Sequence, residues 1–281
     1  MPHLTVNGFN MHYEDRGVGE PLLLIHGLGT GSADWFCQVP ALSEHYRVIA
    51  PCLRGFGRSE RVQGDYSIAL FAQDLAALLD ELDIDRSHIC GLSMGGAVAF
   101  QFAVDYGQRL SSLVAINSQP TFELDSWKKK LLFHSRGLMA RWLGLDAVAR
   151  FQLRQNFPGA ANADLRQRLS GRFTNDPDIY QAALAALENW SVTDRLNRIA
   201  VPTLVIAAEF DYSTPAEKAQ LVQSIADHRV IEVSSARHAV HLERPDEVNR
   251  LLLEFLQGVS ADSGDQSGHQ EKRGQSIQGQ T

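Results

Sequence analysis

The chain has 281 residues, 44% hydrophobic and 21% charged, with a formal net charge of −7. That length suits one large domain with room for an inserted subdomain, and the acidic balance excludes generic nucleic-acid binding. No apolar run reaches the roughly 18 residues of a membrane span, no charged-then-apolar leader opens the chain, and three cysteines without metal spacing (Cys37, Cys52, Cys90) fit a reducing cytoplasm.

Leu4–Val6 and Met11–Glu14 read as strands joined at Asn7-Gly8, a strong hairpin signal. Pro21–Ile25 is a continuous apolar run, as expected of a central strand buried on both faces. It ends in the Gly-rich loop His26–Gly31, followed by a helix carrying Trp35. A strand over Tyr46–Ala50 precedes the tight turn Pro51–Ser59, then an amphipathic helix over Ser67–Leu82. On that helix Ile68, Phe71, Leu75, Leu78, Leu79 and Leu82 share one face, with Gln73, Asp74, Asp80 and Glu81 on the rest. Ser87–Gly96 runs from a strand into a helix, with Cys90 as a small buried thiol, and Leu110–Asn117 is the next strand. This alternation predicts a mainly parallel sheet with helices on both faces.

The rhythm breaks at about Gln119. From there to Asn197 the pattern is helical and holds three of the four tryptophans, Trp127, Trp142 and Trp190. Thr121 to Arg198 carries 12 Lys+Arg against 8 Asp+Glu, a balance of +4 in an otherwise acidic chain. Strand rhythm returns at Val201–Ala207 and Arg229–Val233, with a helix over Thr214–Ala226 between them and a last helix over Pro245–Gln257. Beyond Gly258 the composition is too polar to bury a core. The expected domains are therefore a core of residues 1–118 and 198–258, a helical cap at 119–197 and a disordered tail at 259–281.

The chemistry centres on Gly91-Leu92-Ser93-Met94-Gly95. A Gly-x-Ser-x-Gly turn between strand and helix presents its serine at a sharp bend above the sheet edge. A serine hydroxyl needs a base in reach, and histidine titrates near neutrality. A carboxylate on the other ring nitrogen fixes the tautomer. Asp211 and His238 follow at later strand ends, where a parallel sheet gathers its loops, with Glu209 and His241 as the alternatives. The amides of Met94 and Leu28 are the expected oxyanion donors.

The chain resembles the α/β-hydrolase superfamily, in its serine-hydrolase branch with a helical cap, over residues of about 3 to 258. The resemblance rests on His26-Gly27-x-Gly29, Arg54-Gly55-x-Gly57-x-Ser59, the turn at 91–95, Pro202–Ile206 with Asp211, and His238-x-x-x-x-Glu243-x-Pro245. Where the family usually carries an aspartate before the arginine turn, this chain has Cys52. The resemblance implies a mostly parallel eight-stranded sheet with an inserted cap, and Ser93, Asp211 and His238 as a triad acting through an acyl-enzyme. No metal or organic cofactor is implied, and the serine at the elbow separates the chain from dehalogenases and epoxide hydrolases, which use aspartate there. A small or medium carboxylic ester with an apolar acyl group is the expected substrate. Alternatives are a lactone, a meta-cleavage C–C bond, acyl transfer or perhydrolysis on the same triad, or ligand binding without catalysis. His26, Trp35, Phe210, Trp127 and Trp142 are the candidate pocket residues, His26 also as a scaffold of the oxyanion loop. Lys128, Lys129, Lys130, Arg136 and Arg141 offer a docking face for an anionic acyl carrier.

Overall fold

The computed structural model describes residues 2–124, 127–171 and 176–274. It opens with a hairpin of β1 (His3–Val6) and β2 (Phe9–Arg16), turned by Asn7 and Gly8 at φ of 44° and 81°. Two successive left-handed residues are what a type I′ turn requires. Then come β3 (Pro21–Ile25), the short α1 (Gln38–Leu42), β4 (Arg47–Pro51), α2 (Ile68–Glu81), β5 (Ser87–Leu92), α3 (Met94–Asp105) and β6 (Leu110–Ile116). Four helices follow without a named strand: α4 (Trp127–Leu143), α5 (Leu145–Asn156), α6 (Ala163–Ser170) and α7 (Pro177–Leu187). The chain closes with β7 (Thr203–Ala208), α8 (Pro215–Val222), β8 (His228–Val233), the short α9 (Val240–Glu243) and α10 (Pro245–Gly274).

The eight strands form one sheet in the order β1-β2-β4-β3-β5-β6-β7-β8. β2 runs antiparallel to both neighbours, and the remaining pairs are parallel. Alternate residues of the central strands feed two separate cores. Leu23, Ile25, Ile89, Leu113 and Ala115 meet the aromatic faces of α2 and α3. Leu22, Leu24, Cys90, Val114 and Ile116 meet α1, α9 and α10 on the other side. A strand buried on both faces must be apolar at every position, which is why these segments read as unbroken runs.

The helices between β6 and β7 are tied at their base. Thr121 and Ser191 form an antiparallel bridge, flanked by Phe122 N–H to Trp190 O at 2.8 Å and Val192 N–H to Pro120 O at 2.9 Å. Trp190 Nε1 then donates to Gln101 Oε1 of α3 at 2.8 Å. Among the described residues, no helix is long and apolar enough to cross a membrane.

Two expectations change. Asp74, read as part of the polar face of α2, is fully buried. It receives Arg54 Nε and Nη2 at 2.8 and 2.6 Å and Asn7 Nδ2 at 2.9 Å, so three donors replace the water it gives up. The final helix also runs past Gln257 to Gly274, so residues 259–274 of the expected disordered tail are helical, while 275–281 lie outside the described residues. Val259 is buried and Ser260 Oγ donates to Glu20, and a helix docked this far adds residues at one bond each.

The loop after β4 depends on two buried histidines. His26 Nε2 accepts from Leu53 N–H at 2.9 Å, and His12 sits 3.5 Å from the Cys52 thiol. Burial pushes both down to a pKa of about 4. An unfolded histidine titrates near ~6.5, so between that pH and about 4 the unfolded chain binds protons that the folded chain excludes. Stability should therefore fall with pH over this window, by up to about 1.4 kcal/mol per pH unit for each histidine. Urea denaturation at pH 7 and pH 5 checks this, with a smaller difference expected in His12→Gln; equal midpoints in the wild type would refute the buried neutral state.

Candidate active site

β5 delivers Ser93 into a bend that α3 fixes. Ser93 has φ 53° and ψ −116°, a region that costs a non-glycine residue about 1–3 kcal/mol. Its N–H donates to Ile116 O at 3.0 Å, and its carbonyl accepts from the amides of Gly96 and Ala97 and from Ser118 Oγ. The flanking glycines are steric necessities. A Cβ at Gly91 would lie 2.2 Å from Gly95 O, and one at Gly95 would lie 2.2 Å from Ile25 O.

Two later loops bring the expected base and acid, His238 and Asp211, together. His238 Nδ1 meets Asp211 Oδ1 at 2.5 Å. A ring nitrogen facing a carboxylate must donate, which leaves Nε2 as the basic nitrogen of the neutral imidazole. The Tyr212 ring packs on the imidazole at 4.5 Å. Ser93 and His238 line the same cavity and make no hydrogen bond to each other among the described residues; such contacts can tighten when a substrate binds. The alternatives are employed elsewhere. Glu209 accepts from Ser235 N–H at 2.7 Å, and His241, buried against Trp35, has its Nε2 3.5 Å from Asp34.

Three residues support the His238–Asp211 pair, and two of them, Lys218 and Asn117, escape a sequence reading. Lys218, fully buried on α8, donates to Asp211 Oδ2 at 2.7 Å and to the carbonyl and hydroxyl of Ser213 at 2.5 and 2.8 Å. The capping box of Thr214 and Glu217 starts α8 at the point that swings Lys218 back onto Asp211. Burial pushes the Asp211 carboxyl up, but His238 and then Lys218 outweigh it and hold it below the usual carboxylate range. Asn117, at the end of β6, joins both loops. Its Nδ2 donates to Arg237 O and His238 O at 3.1 and 2.9 Å, while its Oδ1 accepts from Ala208 N–H at 2.7 Å. Glu243 completes the base loop by accepting from Arg237 N–H at 2.6 Å. A helical lysine and a strand-end asparagine carry no local pattern, although Glu243 falls within the quoted histidine motif.

The amides of Leu28 and Met94 have no partner among the described residues. Met94 opens the 12-residue α3, where an unpaired N–H and the helix dipole both favour negative charge. His26 anchors the facing loop, with Nδ1 donating to Gly27 O at 2.8 Å and Nε2 accepting from Leu53 N–H.

The cavity has two lobes of about 150 and 60 Å³, and Leu28, Ser93, Arg136 and His238 border both. Phe122, Leu132, Phe133, Leu184, Leu187 and Tyr212 make the larger lobe mainly apolar, and Leu153, Phe157, Leu169 and Leu242 do so in the smaller. None of the five expected pocket residues lines it. His26 and Trp35 are buried behind the loop, and Phe210 is exposed beneath Arg237. Trp127 and Trp142 are 70% and 74% exposed, because α4 turns Lys129, Leu132, Phe133 and Arg136 inward and sends the tryptophans outward. The i, i+3, i+4, i+7 spacing of those four is the signal that would have found them.

Residues 20–245 match the family model described as the alpha/beta hydrolase fold. The chain is 30% identical over 274 residues to the 2-hydroxy-6-oxo-6-phenylhexa-2,4-dienoate hydrolase of Comamonas testosteroni, covering 89% of this chain and 92% of that one. It is 29% identical over 257 residues to the pimeloyl-[acyl-carrier protein] methyl ester esterase of Aeromonas hydrophila, covering 86% and 98%. Among solved structures, the enol-lactonase of Burkholderia xenovorans superposes with a TM-score of 0.83 at 30% identity, covering 91% of this chain and all of that one.

The buried Asp211–Lys218 pair generates a test. A carboxyl held low in the folded state contributes stability above its unfolded pKa and loses it as pH falls through the folded value. Lys218→Met should cost about 3 kcal/mol at pH 7 by stranding a buried charge, and should move acid unfolding to higher pH. Guanidinium titration at pH 7 reads the first effect and an acid titration from about pH 5 down to about pH 2 reads the second; an unchanged midpoint at pH 7 would refute the coupling.

Proposed function

The chain belongs to the alpha/beta hydrolase fold family and is a hydrolase; from that premise we propose that Ser93, His238 and Asp211 are its catalytic triad. The observation that carries the assignment is the 2.5 Å contact of His238 with Asp211, at a cavity that also receives Ser93 from its strained turn. Ser93 Oγ attacks the carbonyl carbon of an ester as His238 Nε2 takes the hydroxyl proton. The oxyanion meets the amides of Leu28 and Met94, one such donor being worth about 10²- to 10³-fold in rate. Collapse breaks the C–O bond, and His238 returns its proton to the departing alcohol. His238 then deprotonates water, which attacks the acyl-enzyme; collapse breaks the bond to Ser93 Oγ, and His238 returns its proton to that oxygen as the acid leaves.

The apolar lobes support a small or medium carboxylic ester with an apolar acyl chain. A lactone presents the same carbonyl, and the enol-lactonase and dienoate hydrolase likenesses keep lactone and C–C cleavage as neighbouring reactions on this triad. We take the helices within 119–197 as the lid over the site. A second reading, docking of an anionic acyl carrier, is supported by the exposed Lys130 and Arg141 beside exposed Trp127 and Trp142, and by the likeness to a carrier-specific esterase. Arg136 faces the cavity instead, and the Lys128 side chain lies outside the described residues. Three cysteines, none of them in a disulfide among the described residues, support a cytoplasmic setting.

A fluorophosphonate probe should label Ser93 alone, and labelling should disappear in Ser93→Ala and His238→Ala. Hydrolysis of p-nitrophenyl esters should fall by about 10⁴-fold or more in either variant. Asp211→Asn should lose a comparable factor by misdirecting the imidazole tautomer. An unlabelled wild type would point to ligand binding without catalysis, and product partition toward added alcohol or peroxide would point to acyl transfer.

A further inference from the structure

Of the four residues bordering both lobes, Ser93, His238 and Leu28 have roles in ester hydrolysis, and Arg136 has none. It reaches in from α4 and is half-buried. Its partners are neutral. Nη2 donates to the phenol oxygen of the fully buried Tyr180 at 3.2 Å. With the Gln152 amide oxygen turned toward it, Nε donates to that oxygen at 3.1 Å and Nη2 donates to it as well. No carboxylate lies within ion-pairing distance of Arg136 among the described residues, and Nη1 keeps both of its N–H groups unused. The deeply buried cations differ, since Arg54 is matched by Asp74 and Lys218 by Asp211.

A guanidinium stays charged at any physiological pH and loses solvation inside a largely apolar cavity. Neutral partners position it without neutralising it. The acids bordering the lobes do not compete strongly: Asp211 is engaged by His238 and Lys218, Asp34 faces His241, and Glu123 is exposed. What is missing is one negative charge beside the reacting serine. Building on the ester-hydrolase reading, we infer that the substrate carries a carboxylate remote from the scissile carbonyl and that Arg136 Nη1 binds it. A single free guanidinium edge between apolar walls suits a monoanionic carboxylate at the end of a short acyl chain better than a doubly charged phosphate. The enzyme is thus a hydrolase of dicarboxylic acid monoesters, or of lactones that bear an acid group.

The test compares monomethyl adipate with methyl hexanoate, which differ by a carboxylate against a methyl group at the same chain length. Hydrolysis is followed by pH-stat, extending to the monomethyl esters from succinate to suberate to find the reach. The wild type should favour the best monoester over its neutral counterpart by about 10-fold or more in kcat/KM, because leaving a built polar group unpaired is heavily penalised. Arg136→Gln should lose that preference chiefly through KM, and Arg136→Lys should recover part of it. Equal or better cleavage of methyl hexanoate by the wild type would overturn the inference while leaving the hydrolase reading intact. Calorimetry provides a readout independent of turnover. Ser93→Ala should bind monomethyl adipate about 10-fold or more tightly than Ser93→Ala with Arg136→Gln. Equal binding by the two proteins overturns the anion site. Arg136-dependent binding without turnover of any ester by the wild type supports the anion site and overturns the ester reading.

Discussion

A carboxylate removed from water must be repaid by every group around it, and Asp211 sets that demand at the centre of this structure. His238 takes one oxygen and Lys218 the other, so the acid is held between the groups of a base loop and a helix. Because Lys218 is itself buried, neither partner of that pair can be removed without stranding the other. The capping box of α8 is the local device that makes the arrangement possible, since it sets where the helix starts and thus where its fourth residue points. The geometry of the proposed triad and the stability of the fold therefore share the same few atoms.

Asn117 extends the same logic across the sheet. One amide side chain spans the ends of β6 and β7 and the loop of His238, satisfying a backbone amide at the end of β7 and two carbonyls of that loop. Strand ends are where a parallel sheet gathers its functional loops, and also where its ladder hydrogen bonds run out. Filling that gap with a fixed side chain rather than water gives the loops a common reference. The strained turn at Ser93 is anchored nearby by Ile116 and Ser118.

The elements whose physics is local were readable in advance. The Asn7-Gly8 hairpin, the unbroken strand runs and the face of α2 follow from turn geometry and periodicity, and they fall within a residue or two of where the pattern puts them. The elbow was readable because glycine is the only residue its contacts admit. Asp74, Lys218 and Arg136 were not, because a charge looks the same in sequence whether it faces water or a buried partner. Cys52 shows the same limit. Its thiol takes contacts from Ser32 and His12, so the loop keeps a polar hub without the charge an aspartate would bring. Aromatic residues misled in the opposite direction, since bulk alone does not tell the cavity side of α4 from its outer side.

The bridge between Thr121 and Ser191 has an evolutionary consequence. The chain leaves the sheet after β6 and returns to it through one narrow neck, sealed by backbone hydrogen bonds that do not depend on which side chains lie beyond. Helices above such a neck can lengthen, shorten or be replaced while the register of β6 against β7 stays fixed. A lineage built this way can exchange its recognition helices as a cassette and keep its reaction chemistry, so new substrates become reachable through insertions and deletions as well as point substitutions.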